Sequence, residues 1–116
     1  EARPVQIIEY ETADGINHFA RWFEALPLPI QGRVRARLER VKLGVLGDVD
    51  PVGDGVSELR FLQTGPGFRI YFGVRQRQQM ILLCGGDKGS QRRDIKLAKL
   101  LWAEAKKLEV KNEKKD

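Results

Sequence analysis

The stretch Phe68-Arg69-Ile70-Tyr71-Phe72-Gly73-Val74 decides the fold. Its β-branched and aromatic residues read as a strand, and successive side chains of a strand point to opposite faces. Phe68, Ile70, Phe72 and Val74 therefore share one face and read as core. Arg69 and Tyr71 share the other, about 7 Å apart along the chain. In the preceding apolar run, Leu59 and Phe61 mark the inward face, so Glu58 and Arg60 are expected to point outward. The links Gln63-Thr64-Gly65-Pro66-Gly67 and Arg75-Gln76-Arg77-Gln78 are short enough for hairpins. They predict an antiparallel meander of strands at about 56–62, 68–75 and 79–85. Such a meander would gather Arg60, Arg69 and Tyr71 on one exposed sheet surface.

Outward from the meander, residues 5–10 read as a first strand, and Thr12-Ala13-Asp14-Gly15 as a turn whose Asp14 can cap a helix. Ile16, Phe19, Ala20, Phe23 and Leu26 then recur at helical spacing until Pro27 and Pro29 close the run. A second helix is expected over residues 29–43. Ile30, Val34, Leu38 and Val41 form its apolar stripe, and Arg33, Arg35, Arg37, Arg40 and Lys42 lie mostly elsewhere on the cylinder. The short link predicts an antiparallel helical hairpin. Asp48, Asp50 and Asp54 around Pro51 and Gly53 read as an acidic, turn-rich connection, since their spacing fits no calcium loop. A last helix is expected over about 90–111, capped by Ser90, with Ile95, Ala98, Leu101, Trp102, Ala105 and Leu108 as its stripe. The expected architecture is a small α+β domain. An N-terminal strand and a helical hairpin pack on an antiparallel sheet, and a C-terminal helix follows. One domain covers residues 1–116, with a frayed basic tail at about 112–116.

Composition narrows the function classes. At 116 residues, 41% hydrophobic and 32% charged, the chain fits one globular domain rather than a disordered segment. A single cysteine, Cys84, excludes an internal disulfide and, with His18 the lone histidine, argues against a zinc site. No cofactor or metal is expected. No apolar run approaches a membrane span, and the first residues lack the basic-then-apolar order of a signal peptide, so a cytoplasmic location without membrane partners is expected. The net charge of +5 is unevenly placed. Residues 1–55 hold 7 Lys+Arg and 9 Asp+Glu, whereas residues 56–116 hold 14 and 7. The second half thus points to a polyanionic partner, or to no more than a solvated surface and a lysine-rich tail.

Two arginines and a tyrosine on a rigid sheet suit a phosphate-and-base platform, because guanidinium forks onto phosphate oxygens and a phenol both stacks and hydrogen-bonds. The competing reading is cross-strand pairing, in which Glu58 neutralises Arg60 or Arg69 and Tyr71 covers apolar surface. The segment Cys84-Gly85-Gly86-Asp87-Lys88-Gly89-Ser90-Gln91 runs from a strand end into a helix start, a place that favours anions, with Lys88 as an added cation. The plainer reading, which the segment alone favours, is a strand-to-helix turn capped by Ser90. Cys84 reads as an inert buried thiol and His18 as a structural or surface residue. No triad or metallohydrolase motif is present.

The sequence resembles the RelE/ParE toxin superfamily, in its HigB-like branch. The carriers are Phe19-Ala20-Arg21-Trp22-Phe23, Arg33-Val34-x-Ala36-Arg37-Leu38, the run from Gly47-Asp48 through Glu58-Leu59-Arg60, Gly65-Pro66-Gly67-Phe68-Arg69-Ile70-Tyr71-Phe72, and Leu83-Cys84-Gly85-Gly86-Asp87-Lys88-x-x-Gln91-x-x-Asp94-Ile95-x-x-Ala98. They stand in family order across about residues 15–105. The resemblance implies a RelE-like fold and the toxin of a type II toxin–antitoxin module, neutralised by a cognate antitoxin, expected to be a helix-turn-helix protein. It implies an endoribonuclease that cuts mRNA in the ribosomal A site by attack of a ribose 2′-hydroxyl on the adjacent phosphate. DNA would be met only through the antitoxin complex. Arg69 matches the family arginine of the Gly-aromatic-Arg motif, Arg60 is the second candidate, Lys88 could meet the phosphate or leaving oxygen, and Tyr71 could stack or orient. Two positions depart from the RelE pattern. Val56 and Glu58 stand near the places of strand lysines, and Asp94 stands near that of a tyrosine, so no general base is assigned. The alternatives are a ParE-like gyrase inhibitor without nuclease activity, or a non-catalytic basic RNA- or protein-binding module.

Overall fold

The computed structural model describes residues 4–62 and 65–115, with side chains as far as Glu109. Two residues of the link before Phe68, Gln63 and Thr64, and the tail side chains from Val110 onward lie outside the described set. The elements are β1 (Gln6–Glu9), α1 (His18–Glu24), α2 (Leu28–Lys42), β2 (Val49–Gly53), β3 (Val56–Phe61), β4 (Phe68–Arg75), β5 (Gln79–Gly86), a 3-10 turn (Lys88–Ser90) and α3 (Gln91–Lys115). They form a small α+β domain around a five-stranded sheet of order β1-β5-β4-β3-β2. Strands β2 to β5 are the antiparallel meander; the helical hairpin carries the chain from β1 at one edge of the sheet to β2 at the other, and β1 pairs parallel with β5.

Both faces of the sheet are covered. Phe19, Val34, Val41, Leu59, Phe61, Ile70, Phe72, Met80 and Leu82 fill the core shared with α1 and α2. Tyr10, Val56, Tyr71, Ile81, Leu83, Cys84, Ala98, Leu101, Trp102 and Ala105 fill the core shared with α3. The parity reading of β4 therefore holds for Ile70 and Phe72, but its other face is not exposed, because the stripe on α3 must also be buried. Val74, expected in the core, is half-exposed at the far end of the strand. Trp102 sets how closely α3 approaches. A Cβ at Gly73 would lie 2.6 Å from its ring, so the helix can rest there only on a glycine.

Local chemistry moves several boundaries. α1 is capped by Asn17, whose side chain accepts from the Ala20 N–H at 2.9 Å, and not by Asp14. The reason lies upstream. The Thr12 carbonyl and hydroxyl accept from Gly15 and Ile16, and Gly15 at φ +82° turns the chain before a helix can start. Between the helices, the buried Gln31 amide donates to the Leu26 and Glu24 carbonyls and so satisfies the end of α1. The segment expected as an acidic connection is the edge strand β2. Pro51 is tolerated there because an edge strand has an unpaired side. Asp54 and Gly55, both at positive φ, close a tight hairpin into β3. In the 3-10 turn that leads into α3, Asp87 is the cap, accepting from the Gly89 and Ser90 N–H groups, and the Ser90 hydroxyl completes a capping box by accepting from the Asp87 N–H. α3 continues past Val110 to Lys115.

Candidate functional site

The register of the meander assembles one end of the sheet. Arg60 on β3 lies opposite Arg69 on β4, and Arg69 lies opposite Gly86 on β5, two residues before Lys88. With strands about 4.8 Å apart, the row spans on the order of 10 Å. The Lys88 N–H donates to the Pro66 carbonyl at 2.9 Å, which pins the turn after β5 to the link before β4. The structure thus brings Arg60, Arg69 and Lys88 to the same end of the sheet.

Two arginines directly opposite on neighbouring strands repel each other. Glu58, two residues before Arg60, resolves the conflict. Its carboxylate lies 3.6 Å from the Arg69 Nε and 3.6 Å from an Arg60 terminal nitrogen, and it accepts from the Gln91 amide of α3 at 3.2 Å. Glu58 and Arg69 have side chains only 4% and 7% exposed, while Arg60 is 27% exposed. The buried pair is further held by Arg69 donating to the Gly67 carbonyl at 2.6 Å. Arg60 reaches the surface, where it pairs with Asp48 at 2.7 Å and with Asp50. The Arg60 contact holds the Asp48 carboxyl below its ordinary range, and Asp48 in turn raises Arg60. Cross-strand neutralisation is therefore what the sheet does with these residues. Glu58, expected to point outward into solvent, sits beneath α3.

Tyr71 is fully buried under α3, opposite Glu58 and Cys84 on the neighbouring strands. It cannot stack on a base, which corrects the expectation of an exposed sheet surface. Among the described residues its hydroxyl has no hydrogen-bond partner, and neither does the Arg69 Nε. Burial first, and the nearby Glu58 and Asp94 carboxylates second, raise the Tyr71 phenol far above its ordinary value. Cys84 is likewise buried, its thiol pushed up to about 12 by desolvation. The helix start after β5 is also already filled. Asp87 takes its free N–H groups, and Asp94 is hydrogen-bonded by the Ser90 hydroxyl. Lys88 remains exposed beside it.

Gln91 and Glu58 form the link that reading β3 and β4 alone does not find. Both stand in the motifs quoted above, yet only the packing of α3 onto the sheet shows that they meet. No group of three or more metal-ligating side chains occurs among the described residues, and none of the helices described is long and apolar enough to cross a membrane.

Residues 21–106 match the family described as "Phage derived protein Gp49-like". The chain belongs to this Gp49-like family. The family falls within the RelE-like superfamily of toxin–antitoxin toxins. A Haemophilus influenzae protein (strain ATCC 51907 / DSM 11121 / KW20 / Rd) described as uncharacterized is 42% identical over 87 residues, which cover 74% of this chain and 87% of that protein. No solved structure matches the chain. The matched span of the Gp49-like family runs from α1 into α3 and so contains every residue of the Glu58 cluster.

Proposed function

We propose that this Gp49-like chain is a HigB-like toxin of a type II toxin–antitoxin module, and that it inhibits translation by cutting mRNA on the ribosome. The observation that carries the reading is the row Arg60–Arg69 with Lys88 beside it, fixed to one end of a rigid sheet by a shared buried carboxylate. Such fixed cations act where phosphate charge develops and need no rearrangement as it does. Cleavage would form a bond between the ribose 2′-oxygen and phosphorus while the bond from phosphorus to the 5′-oxygen breaks. The 2′ proton goes to an acceptor and the departing 5′-oxygen gains a proton. Lys88 reaches solvent and meets the phosphate; Arg60 joins it by exchanging its surface partners Asp48 and Asp50 for the phosphate, while Arg69, paired with Glu58 below, sets the place of Arg60. At this end of the sheet Glu58 lies between two guanidiniums and Tyr71 is sealed in. Neither is therefore placed to take the 2′ proton. A cognate antitoxin of helix-turn-helix type would silence the site by covering it.

The absence of an unpaired base at this end, among the described residues, favours one second reading, a ParE-like gyrase inhibitor without nuclease chemistry. Translation of a defined mRNA on ribosomes, with and without the protein, separates the two when new 3′ ends are mapped. Discrete new ends inside codons support the nuclease. Intact mRNA from a growth-inhibiting protein, with loss of supercoiling by purified gyrase, supports the second reading.

A further inference from the structure

A second cationic feature lies on the flank of the molecule, in the half of the chain whose overall charge is negative. Arg33, Arg37 and Arg40 of α2 face a groove of about 420 Å³, closed on its other side by Gly47, Asp48 and Arg60. Residues at this spacing share one helix face, and the row runs ~10 Å along the axis. Arg60 is neutralised by Asp48 and Asp50, but among the described residues no carboxylate lies within ion-pair distance of Arg33, Arg37 or Arg40. The one acidic residue of α2, Glu39, pairs with Lys42 on the other flank, which lines a different cleft.

The middle arginine is seated, not splayed into solvent. Arg37 is buried, and its guanidinium packs over Gly47, where a Cβ would lie 2.5 Å from a terminal nitrogen. Gly47 at φ +72° therefore makes the seat twice over, by its conformation and by its missing side chain. Desolvation, and then the neighbouring Arg40, push the Arg37 guanidinium below its ordinary value, against a smaller opposing pull from Asp48 across the groove. A cation placed against that penalty, without an ion-pair partner, fits a groove completed by an outside anion.

We infer that the α2 groove is a phosphate-backbone site that leads an RNA strand along Arg33, Arg37 and Arg40 to Arg60 and the row at the sheet end. The inference rests on the RNA reading of that row. A file of forked donors one helical turn apart matches a chain of repeated anionic groups, and its continuity with Arg60 gives the chain a direction. A scattered set of carboxylates on a protein segment would need neither the file nor the continuity.

The test uses fluorescence anisotropy with a labelled single-stranded RNA of about a dozen nucleotides, titrated between 50 and 200 mM salt. Wild type is compared with the double variant Arg33→Gln/Arg40→Gln, which removes two exposed arginines and leaves the Arg37 seat. Each lost phosphate contact on a single strand flattens the dependence of log affinity on log salt by about 0.7. The variant's slope should fall by about 1.4, so that its affinity drops about 7-fold less than wild type's over that salt range. An unchanged slope overturns the groove. So does groove-dependent binding of polyglutamate in place of RNA. Cleavage of mRNA on ribosomes, scored on the same preparations, keeps the two readings apart. Cut mRNA with an unchanged slope sinks the groove and not the nuclease, and uncut mRNA with a flattened slope does the reverse.

Discussion

Replacing Glu58 with glutamine removes one negative charge from the point where Arg60, Arg69 and Gln91 converge, and the structure sets the size of the response. Arg60 loses little, since it is partly solvated and keeps Asp48 and Asp50. Arg69 bears the larger loss. Its side chain is 7% exposed, and Glu58 is its carboxylate partner among the described residues. Breaking a buried pair by removing one partner typically destabilises by about 3–5 kcal/mol. The glutamine oxygen remains as an acceptor and Arg69 keeps its bond to the Gly67 carbonyl, so about 2–4 kcal/mol is expected for Glu58→Gln. Urea unfolding followed by circular dichroism should show the midpoint falling by on the order of 1–2 M with the slope unchanged. Adding Arg69→Met should restore part of the loss, because the second change removes the stranded charge. A single variant within about 1 kcal/mol of wild type, or a double variant worse than the single, would refute the claim that Glu58 holds Arg69 in place. The same reasoning makes Arg69→Ala a poor probe of chemistry, since it disturbs packing and charge together.

Three further outcomes follow from the cores. Tyr71→Phe removes a buried hydroxyl that has no partner among the described residues, so stability should stay level or rise by up to about 1 kcal/mol and toxicity should persist. A loss of toxicity in a stably folded Tyr71→Phe protein would return the phenol to the mechanism. Gly73→Ala drives a methyl into the Trp102 ring and should cost about 1–3 kcal/mol in urea unfolding, partly recovered by Trp102→Leu. Full stability in the single variant would contradict the close approach of α3. Cys84, with its thiol pushed up to about 12, should resist iodoacetamide at pH 8 until urea unfolds the chain. Its folded value lies above the ordinary 9.0, so its contribution to stability is complete below pH 9 and declines as pH rises from there toward 12. Rapid native labelling would contradict this.

Much of the fold is legible in period-2 and helical patterns. The three strands of the meander and the second helix of the hairpin fall within a residue or two of their expected places, and the first helix starts three residues later than a cap at Asp14 implies. β2 is masked in the sequence because Pro51 and its aspartates mimic a loop, although Asp54-Gly55 between Val52 and Val56 carries a hairpin signal. The site is legible only in part. Parity puts Arg60, Arg69 and Tyr71 on one face, but it cannot say whether that face meets water. The second face is covered because α3 has its own apolar stripe to bury, and this turns Tyr71 and Glu58 inward. That Arg33, Arg37 and Arg40 line one groove is obscured for another reason. The charge balance of residues 1–55 averages to a negative value, whereas the positions that matter repeat every helical turn on one side of α2.

The most direct test of the central claim is mRNA cleavage on translating ribosomes by wild type and by Lys88→Ala. Lys88 is exposed, so its loss leaves the folded midpoint unchanged while it removes a cation from the sheet end. New 3′ ends with wild type, formed at least about 10-fold more slowly by a fully folded Lys88→Ala protein, are the predicted result. Uncut mRNA with wild type, or equal rates for the two proteins, would contradict the assignment of this end of the sheet as an RNA-cleaving site.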